Sequence, residues 1–352
     1  QRQATGALVA LALDNGDNEA SIAKLLVSLL GHEDKQSSAK AAARAVSSLA
    51  RASGPMQQVL AKAGGINLLV ELVDIRLGGR FADEGERRLQ SARVQKEMAS
   101  ALWAMASDNE ENQMAISEAG GIQKLVRLLK GHPEVYRDVA GAIWSLAATE
   151  ANRQAITDYG GIEPLVGLLS SSVSGAQETV AGSLCTLAET PDNRVKIADA
   201  GGIDPLVALF NTGTEESKAQ SSSALKKLSL DNYNNQLAIA LSLVAMLSKG
   251  SAIAREYVTE LLKDLMYDPN TRSAIIKAGA VNELVTQLEH GSEKAMRMAA
   301  SALALIAKRS SEHRVTVTRE LVKLLGSQNI TVRQRASEAL AEMAEDEKDG
   351  VV

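Results

Sequence analysis

Side chains that could bind a metal ion or act as a nucleophile are scarce in this sequence. Its 352 residues include four histidines and one cysteine, Cys185. Ligands to one metal ion must converge in space, whereas His32, His132 and His290 fall in similar turns of separate repeats. Phosphate-binding glycine loops and the motifs of zinc proteases and serine hydrolases are also absent from the sequence. We therefore expect no metal site, no cofactor and no catalysis.

Two tryptophans are the residues best suited to molecular recognition. Trp103 and Trp144 lie 41 residues apart, the spacing of the repeats described below, so we expect them on adjacent helices about 8–10 Å apart. Tryptophan offers a large, stiff contact surface that often anchors an interface. One interpretation is a recognition patch that also includes Ser100, Ser107, Ser145, Thr186 and Lys227. The alternative is that each ring packs against a neighbouring helix or loop as part of the core.

Composition indicates a folded protein with a helical core. Hydrophobic residues make up 45% of the chain and aromatic residues 3%, so Leu, Ile, Val and Ala must fill the interior.

The net charge of −5 argues against a nucleic-acid partner. The longest apolar stretch, residues 237–247, is shorter than the ~20 residues that cross a bilayer. A single cysteine fits a reducing compartment, and we predict a cytoplasmic location, with a nuclear, cytoskeletal or membrane-associated location through partners as the alternative. Because the sequence begins at Gln1 without Met, we expect a longer parent protein.

A phrase close to Leu-Val-x-Leu-Leu recurs along the chain and defines internal repeats. Its valine falls at intervals of 43, 56, 40, 41, 37, 41 and 37 residues, at Val27, Val70, Val126, Val166, Val207, Val244, Val285 and Val322. A Gly-Gly-Ile sequence or a relative precedes five of these valines. The copies around Val27, Val244 and Val322 lack it and are degenerate.

The copy from Asn152 to Thr190 predicts three helices per repeat. We expect a side-chain cap on the first helix from the asparagines at equivalent positions, Asn112, Asn152 and Asn193. The glycine pair should break the chain, since glycine readily takes positive φ. A second helix then carries the Leu-Val phrase, and apolar residues at helical spacing predict the third.

The sequence resembles the armadillo repeat family, whose members include importin-alpha, beta-catenin and vacuolar armadillo scaffolds. The phrases that carry the resemblance are Asn-x-x-x-Ile, Ala-Gly-Gly-Ile, Leu-Val-x-Leu-Leu and Ala-Leu-x-x-Leu-Ala. It implies an all-α, right-handed superhelical solenoid of about eight to nine three-helix units, with a concave groove lined by third helices. We predict one domain over residues 1–352, with a partial repeat at 1–20 that includes an orphan third helix at 6–14, a degenerate repeat near 231–268 and a terminal repeat near 311–346.

The one long interval, between Val70 and Val126, indicates an insertion between a second and a third helix. We place it in a loop at residues 74–90. Two interpretations remain open, a tolerated surface loop or an arm that contacts a partner or covers the groove.

The residues predicted to line the groove differ from those of nuclear import receptors, which belong to the family that the sequence resembles. In the importin-alpha and beta-catenin branches an Asn on each third helix binds a peptide backbone. Here that position holds Ala10, Ser48, Ala104, Ser145, Thr186, Lys227, Asp264, Leu305 and Glu342. The importin-type tryptophan position, four residues earlier, holds Gly6, Arg44, Ser100, Gly141, Gly182, Ser223, Glu260, Ser301 and Glu338. Both differences disfavour a nuclear transport receptor.

We predict a non-catalytic scaffold or adaptor that binds a partner protein, as an extended segment or a helix, in the groove. The alternative is a structural subunit fixed in a large cytoskeletal, ciliary or membrane-peripheral assembly. The sign of charge changes from Lys226 and Lys227 to Asp264 and Glu342. That change either selects a partner of matching charge or lies on a solvated surface. The acidic stretch 342–349 is expected to fray.

Overall fold

Every described element of the chain is helical. The computed structural model describes residues 15–31, 36–76 and 83–345, together with Ala7, Ala10 and Leu11. Within these ranges lie 21 α-helices and a short 3-10 turn at Pro133–Val135. Most of the predicted orphan third helix at 6–14 lies outside the described residues, as do His32, residues 77–82 and the end of the acidic stretch.

The chain forms two compact units, Gln1–Ala200 and Gly201–Val352. The helices of the first unit are α1 (Gly16–Leu30), α2 (Gln36–Ala52), α3 (Gly54–Lys62), α4 (Gly65–Leu72), α5 (Glu84–Ala106), α6 (Glu110–Glu118), α7 (Gly121–Leu128), α8 (Tyr136–Leu146), α9 (Glu150–Asp158), α10 (Ile162–Leu168), α11 (Ala176–Leu187) and α12 (Pro191–Asp199). Three complete repeats follow one another as α3–α5, α6–α8 and α9–α11. The prediction of one continuous domain concerns both units together and stays a prediction.

The second unit contains one complete three-helix repeat. Its helices are α13 (Ile203–Thr212), α14 (Glu215–Leu228), α15 (Tyr233–Lys249), α16 (Ala252–Leu265), α17 (Pro269–Lys277), α18 (Ala280–His290), α19 (Glu293–Arg309), α20 (Ser311–Leu324) and α21 (Ile330–Glu345). The complete repeat is α17–α19. The two predicted repeats on either side, near 231–268 and 311–346, have two helices each, α15–α16 and α20–α21.

The first glycine of the pair decides whether a repeat has three helices or two. Where the pair is present, its first glycine has positive φ, for example 79° at Gly120, and separates the first helix from the second. At Gly121 the second glycine allows close packing, since a Cβ there would lie 2.6 Å from Cγ2 of Ile116, whereas the repeat α17–α19 has Ala280 at this position. The degenerate copy has Ala238 and Ile239 at these positions, and its first two helices are fused into α15. The helices α1 and α20 are continuous for the same reason.

The interior of both units is aliphatic, as the composition predicts. Leu, Ile, Val and Ala supply most buried side chains, and Phe210 is the largest side chain that is fully buried among the described residues. Burying one Leu, Ile or Val side chain stabilises the fold by about 1.5–3 kcal/mol. No described helix is long and apolar enough to cross a membrane.

The predicted capping role of Asn112, Asn152 and Asn193 is wrong. The caps lie three residues earlier, where the side chains of Asn109 and Thr149 accept hydrogen bonds from backbone N–H groups at 3.0 and 3.3 Å. Asn112 and Asn193 are instead buried within their helices. Their Nδ2 groups donate to carbonyls in the last turn of the preceding third helix, Met105 at 2.9 Å and Leu187 at 3.1 Å. Those carbonyls lack a partner within their own helix, so a buried asparagine is useful there.

The predicted loop at 74–90 is also partly wrong, because Glu84 to Gln90 belong to α5. Asp83 begins this helix by accepting a hydrogen bond from the N–H of Glu86 at 2.8 Å. At the other end of the insertion, Asp74 pairs with Lys124 and Arg127, each at 3.1 Å. The insertion therefore extends a third helix at its N-terminus.

Candidate functional site

The third helices of the first unit pack side by side, α2 against α5, α5 against α8, and α8 against α11. We name their common surface the third-helix face and define it by the side chains Ser47, Ser100, Trp103, Ser107, Trp144, Ser145 and Thr186. All predicted site residues except Lys227 belong to it. Lys227 is half-buried on α14 of the second unit, and its place in the predicted patch stays a prediction.

A fixed register relates each third helix to the next. The ring of Trp103 lies on Gly141, and the ring of Trp144 lies on Gly182, in each case 38 residues further along the chain. One helix earlier, Ser47 contacts Ser100 in the same way, with its Oγ 3.2 Å from the Ser100 carbonyl oxygen. That separation is 53 residues, and it exceeds the other two by the length of the insertion. The same stagger therefore holds across three helix pairs.

Glycine is required beneath each tryptophan ring. A Cβ at Gly141 would lie 2.5 Å from Cδ2 of Trp103, and one at Gly182 would lie 2.6 Å from Cε2 of Trp144. Contacts this short are not tolerated, so any larger residue would displace the ring. Both tryptophans remain half-buried. Each ring thus packs on a neighbouring helix and also keeps accessible surface, which combines parts of the two interpretations drawn from the sequence.

Two arginines lie close to the Trp103 ring. The Cζ of Arg51, from α2, is 4.7 Å from the ring centroid, and that of Arg137, from α8, is 5.7 Å away. These are distances at which a cation is attracted to the face of an aromatic ring. We call Trp103, Arg51, Arg137 and Gly141 the Trp103 cluster. Both arginines are exposed, so part of each guanidinium is open to solvent.

Asp138 is a buried carboxyl group next to this cluster. It is 4% exposed, and its Oδ2 has no hydrogen-bond partner among the described residues. Burial raises the pKa of Asp138, while the charges of Arg137 and Lys96 and the hydroxyl of Ser100 act in the opposite direction. Ser100 is thus placed between Ser47 and the carboxyl of Asp138.

The remaining predicted residues are held by hydrogen bonds on the same face. The Oγ of Ser107 donates to the carbonyl of Trp103 at 2.8 Å and lies 3.5 Å from the Oγ of Ser145. The Oγ1 of Thr186 donates to the carbonyl of Gly182 at 3.1 Å, beneath Trp144. These hydroxyls already have partners within the face, so they add polarity to it at fixed positions.

Sequence reasoning missed Arg51, Arg137, Asp138 and the role of the two glycines. A signal for the glycines was available, since each tryptophan is followed by a glycine at the same offset of 38 residues. The arginines gave no such signal, because only the packing of α2 and α8 on α5 brings them to Trp103.

The second unit contains an aromatic cluster of a different kind. Tyr257 stacks on Phe210 with ring centroids 6.0 Å apart, and the Nζ atoms of Lys218 and Lys294 lie 5.1 and 5.7 Å from its centroid. The Tyr257 hydroxyl donates to the carboxylate of Glu215. This hydrogen bond, together with burial and nearby carboxylates, raises the pKa of Tyr257 to about 12. We call Tyr257, Lys218, Lys294 and Glu215 the Tyr257 cluster.

Ion pairs connect neighbouring third helices in the second unit. Lys226 of α14 pairs with Asp264 of α16 at 2.6 Å, and Lys294 of α19 pairs with Glu260 of α16 at 3.0 Å. Arg335 of α21 reaches Glu293 of α19 at 3.4 Å. The residues behind the predicted change of charge sign therefore include ones that neutralise each other, such as Lys226 and Asp264.

Comparison with known proteins identifies two of the three-helix repeats of the first unit. The model of the armadillo/beta-catenin-like repeat matches residues 109–148 and 149–189, which span α6–α8 and α9–α11. No curated protein sequence matches the chain.

Solved structures with a similar fold cover most of the chain. One engineered protein is 27% identical over 97% of this chain and 95% of its own, with a TM-score of 0.54. Another is 28% identical over 81% of this chain and 96% of its own, with a TM-score of 0.55. A designed armadillo repeat protein in complex with the peptide (KR)4 is 23% identical over 80% of this chain and 98% of its own, with a TM-score of 0.53. Residues 109–189 are therefore armadillo repeats, and the chain has the fold of solved armadillo repeat proteins.

Proposed function

We propose that the chain is a non-catalytic scaffold or adaptor whose third-helix face in the first unit binds a segment of a partner protein. The observation that carries the proposal is the pair of half-buried tryptophans, each resting on a glycine of the next third helix. Rings fixed in this way present apolar surface at little cost in side-chain entropy. A structurally similar designed protein binds a peptide, which supports the same use of the fold here.

An extended segment suits this face better than a globular partner. Adjacent third helices are about 8–10 Å apart, and an extended chain rises about 3.3 Å per residue. Two side chains roughly three residues apart in the segment would therefore meet Trp103 and Trp144. The hydroxyl of Ser107 donates to the carbonyl of Trp103 and lies 3.5 Å from the hydroxyl of Ser145, the residue after Trp144.

Photo-crosslinking in cells tests this proposal. A benzophenone amino acid at Ser145 should capture a partner protein, whereas the same residue at Met114, which is exposed on α6, should not. A double variant, Trp103→Ala with Trp144→Ala, should reduce capture about tenfold or more while its helical circular dichroism signal is retained. Equal capture from both positions, or unfolding of the double variant, would contradict a binding role for the rings.

The alternative of a structural subunit in a large assembly predicts a different result. Both the Ser145 and the Met114 positions would then crosslink to stable neighbours. A nuclear transport receptor is disfavoured, because the third helices have other residues where that branch has asparagine and tryptophan.

We also propose that the protein resides in the cytoplasm and has no nucleic-acid partner. Imaging of the tagged protein and a filter-binding assay with RNA and DNA test these two points.

A further inference from the structure

We propose that the Trp103 cluster recognises an acidic peptide segment, in which Asp or Glu carboxylates are bound by Arg51 and Arg137. This inference rests on the proposed function, because it names the chemistry of the segment that the third-helix face binds. The two arginines lie on the third helices that flank α5, Arg51 on α2 and Arg137 on α8.

Both arginine side chains already pack against neighbouring groups before any ligand arrives. The Nε of Arg51 donates to the Oγ of Ser47 at 3.4 Å, and its Cζ lies over the Trp103 ring. The Arg137 side chain passes over Gly175, where an added Cβ would lie 2.8 Å from Nε and 3.0 Å from Cδ. A guanidinium that rests on a ring keeps N–H donors along its edge, and these match the geometry of a carboxylate. Preorganisation of this kind lowers the entropic cost of binding.

The charges near Trp103 favour an anionic segment. The ion pair of Arg44 with Glu97, at 2.6 Å, is internally neutral. The positive charges of Arg51, Lys96 and Arg137 are then opposed by the buried carboxyl group of Asp138. The charge of the buried Asp138 acts on both arginines, but neither arginine has a carboxylate oxygen within 4.0 Å in the part of the chain that the structure describes. A carboxylate supplied by a partner would fill that role.

A basic segment would meet the opposite situation at the same place. Lysine or arginine side chains of a ligand would approach Arg51 and Arg137 with like charge, which weakens association. The peptide (KR)4 that accompanies a designed armadillo repeat protein is therefore the matched negative probe for this chain. From the helix spacing, the preferred segment carries an acidic residue at the Trp103 cluster and an apolar residue about three positions away, at Trp144.

Selection from a random 12-residue peptide display library, with the full chain as bait, tests the inference. The expected result is enrichment of Asp and Glu, and binding of the best peptide that weakens as salt rises from about 50 to about 300 mM. In fluorescence polarisation, the double variant Arg51→Gln with Arg137→Gln should bind that peptide about tenfold more weakly or worse. The matched control is Arg87→Gln with Arg88→Gln on α5, which removes the same charge about 22 Å along the helix from Trp103. Its affinity should stay within about twofold of the unmodified chain.

Separate outcomes overturn the inference and the function on which it rests. Enrichment of neutral or basic peptides, including binding of (KR)4, overturns the inference while the proposed function survives. The same holds if Trp103→Ala weakens binding but the Arg51→Gln and Arg137→Gln variant does not. If no peptide is enriched, the proposed function fails together with the inference. Circular dichroism spectra of all variants establish that they are folded, and Arg51→Lys with Arg137→Lys should recover part of the affinity, since charge returns without the planar fork.

Discussion

The Trp103 cluster of the first unit and the Tyr257 cluster of the second both place two cations over an aromatic ring. They differ in the groups that contact the cationic side chains. Around Tyr257 the lysines pair with Glu215 and Glu260, and the tyrosine hydroxyl donates to Glu215 as well. Around Trp103 the arginines are held by the ring, by Ser47 and by Gly175. One cluster is electrostatically complete and connects helices, whereas the other leaves guanidinium edges that a ligand can use.

The surface beneath each ring also differs. Tyr257 stacks on another ring, Phe210, at an interplanar angle of 15°, and an aromatic stack tolerates small displacements. Trp103 lies directly on the backbone of α8 at Gly141, which blocks any movement of the ring towards that helix. The rigid support suits a binding surface, because the ring is already in position when a ligand arrives.

The largest expected effect comes from removing the glycine support. Gly141→Ala and Gly182→Ala should each destabilise the protein by about 1–3 kcal/mol, since the new methyl group collides with a tryptophan ring. Gly167→Ala is the matched control. It lies in α10 with no atom within 4 Å of an added Cβ, so it should stabilise by about 0.5–1 kcal/mol. Urea denaturation measures all three, and an equal response of Gly141 and Gly167 would refute the account of ring support.

A second prediction concerns the completed cluster. Glu215→Gln removes the carboxylate that accepts a hydrogen bond from the Tyr257 hydroxyl, so the pKa of Tyr257 should fall from about 12 towards its ordinary value near 10. The stability that the protonated hydroxyl contributes is fully present below the unfolded pKa of about 10 and is lost as pH rises through the folded pKa. Ultraviolet titration of the tyrosinate band, with Tyr257→Phe subtracted as the reference, measures the shift. A Tyr257 pKa that is unchanged in Glu215→Gln would show that this hydrogen bond is not the cause.

A smaller effect is expected at Asp138, beside the open cluster. Because burial raises its pKa, the folded state favours the protonated carboxyl, and stability falls as pH rises from the unfolded pKa through the folded pKa. Asp138→Asn should therefore be more stable than the unmodified chain at pH 7, and the difference should shrink near pH 3. Thermal unfolding at the two pH values measures this, and a variant less stable at pH 7 would show that the ionised carboxylate is needed beside Arg137 and Lys96.

The sequence alone was sufficient to predict the repeat architecture, because the glycine pair and the Leu-Val phrase are local signals with a local physical cause. The same signals account for the fused helices α1, α15 and α20, where the pair is missing. Asn112 was misassigned as a cap since its partner, the carbonyl of Met105, lies in the preceding helix. The insertion is predicted as a loop over residues 74–90, although Asp83 followed by Glu86 is a helix-start signal.

The candidate site was predicted in part. Trp103 and Trp144 were found from their spacing, and the structure adds the glycines on which they rest. Arg51 and Arg137 were not found, because the sequence does not specify which face of α2 or α8 meets α5. Lys227 was predicted from its place in the series of third-helix positions. It lies in the second compact unit, and its part in the patch stays a prediction.

The most direct test of the central claim uses the fact that Trp103 and Trp144 are the only tryptophans in the sequence. Tryptophan emission, excited selectively at the red edge of its absorption, therefore reports on the third-helix face alone. Titration with the peptide selected from the display library should change the emission intensity or wavelength in step with binding measured by polarisation. Two single-tryptophan variants, Trp103→Phe and Trp144→Phe, should both retain a response. Saturable binding with no change in the emission of either tryptophan would contradict the claim that the partner segment binds at this face.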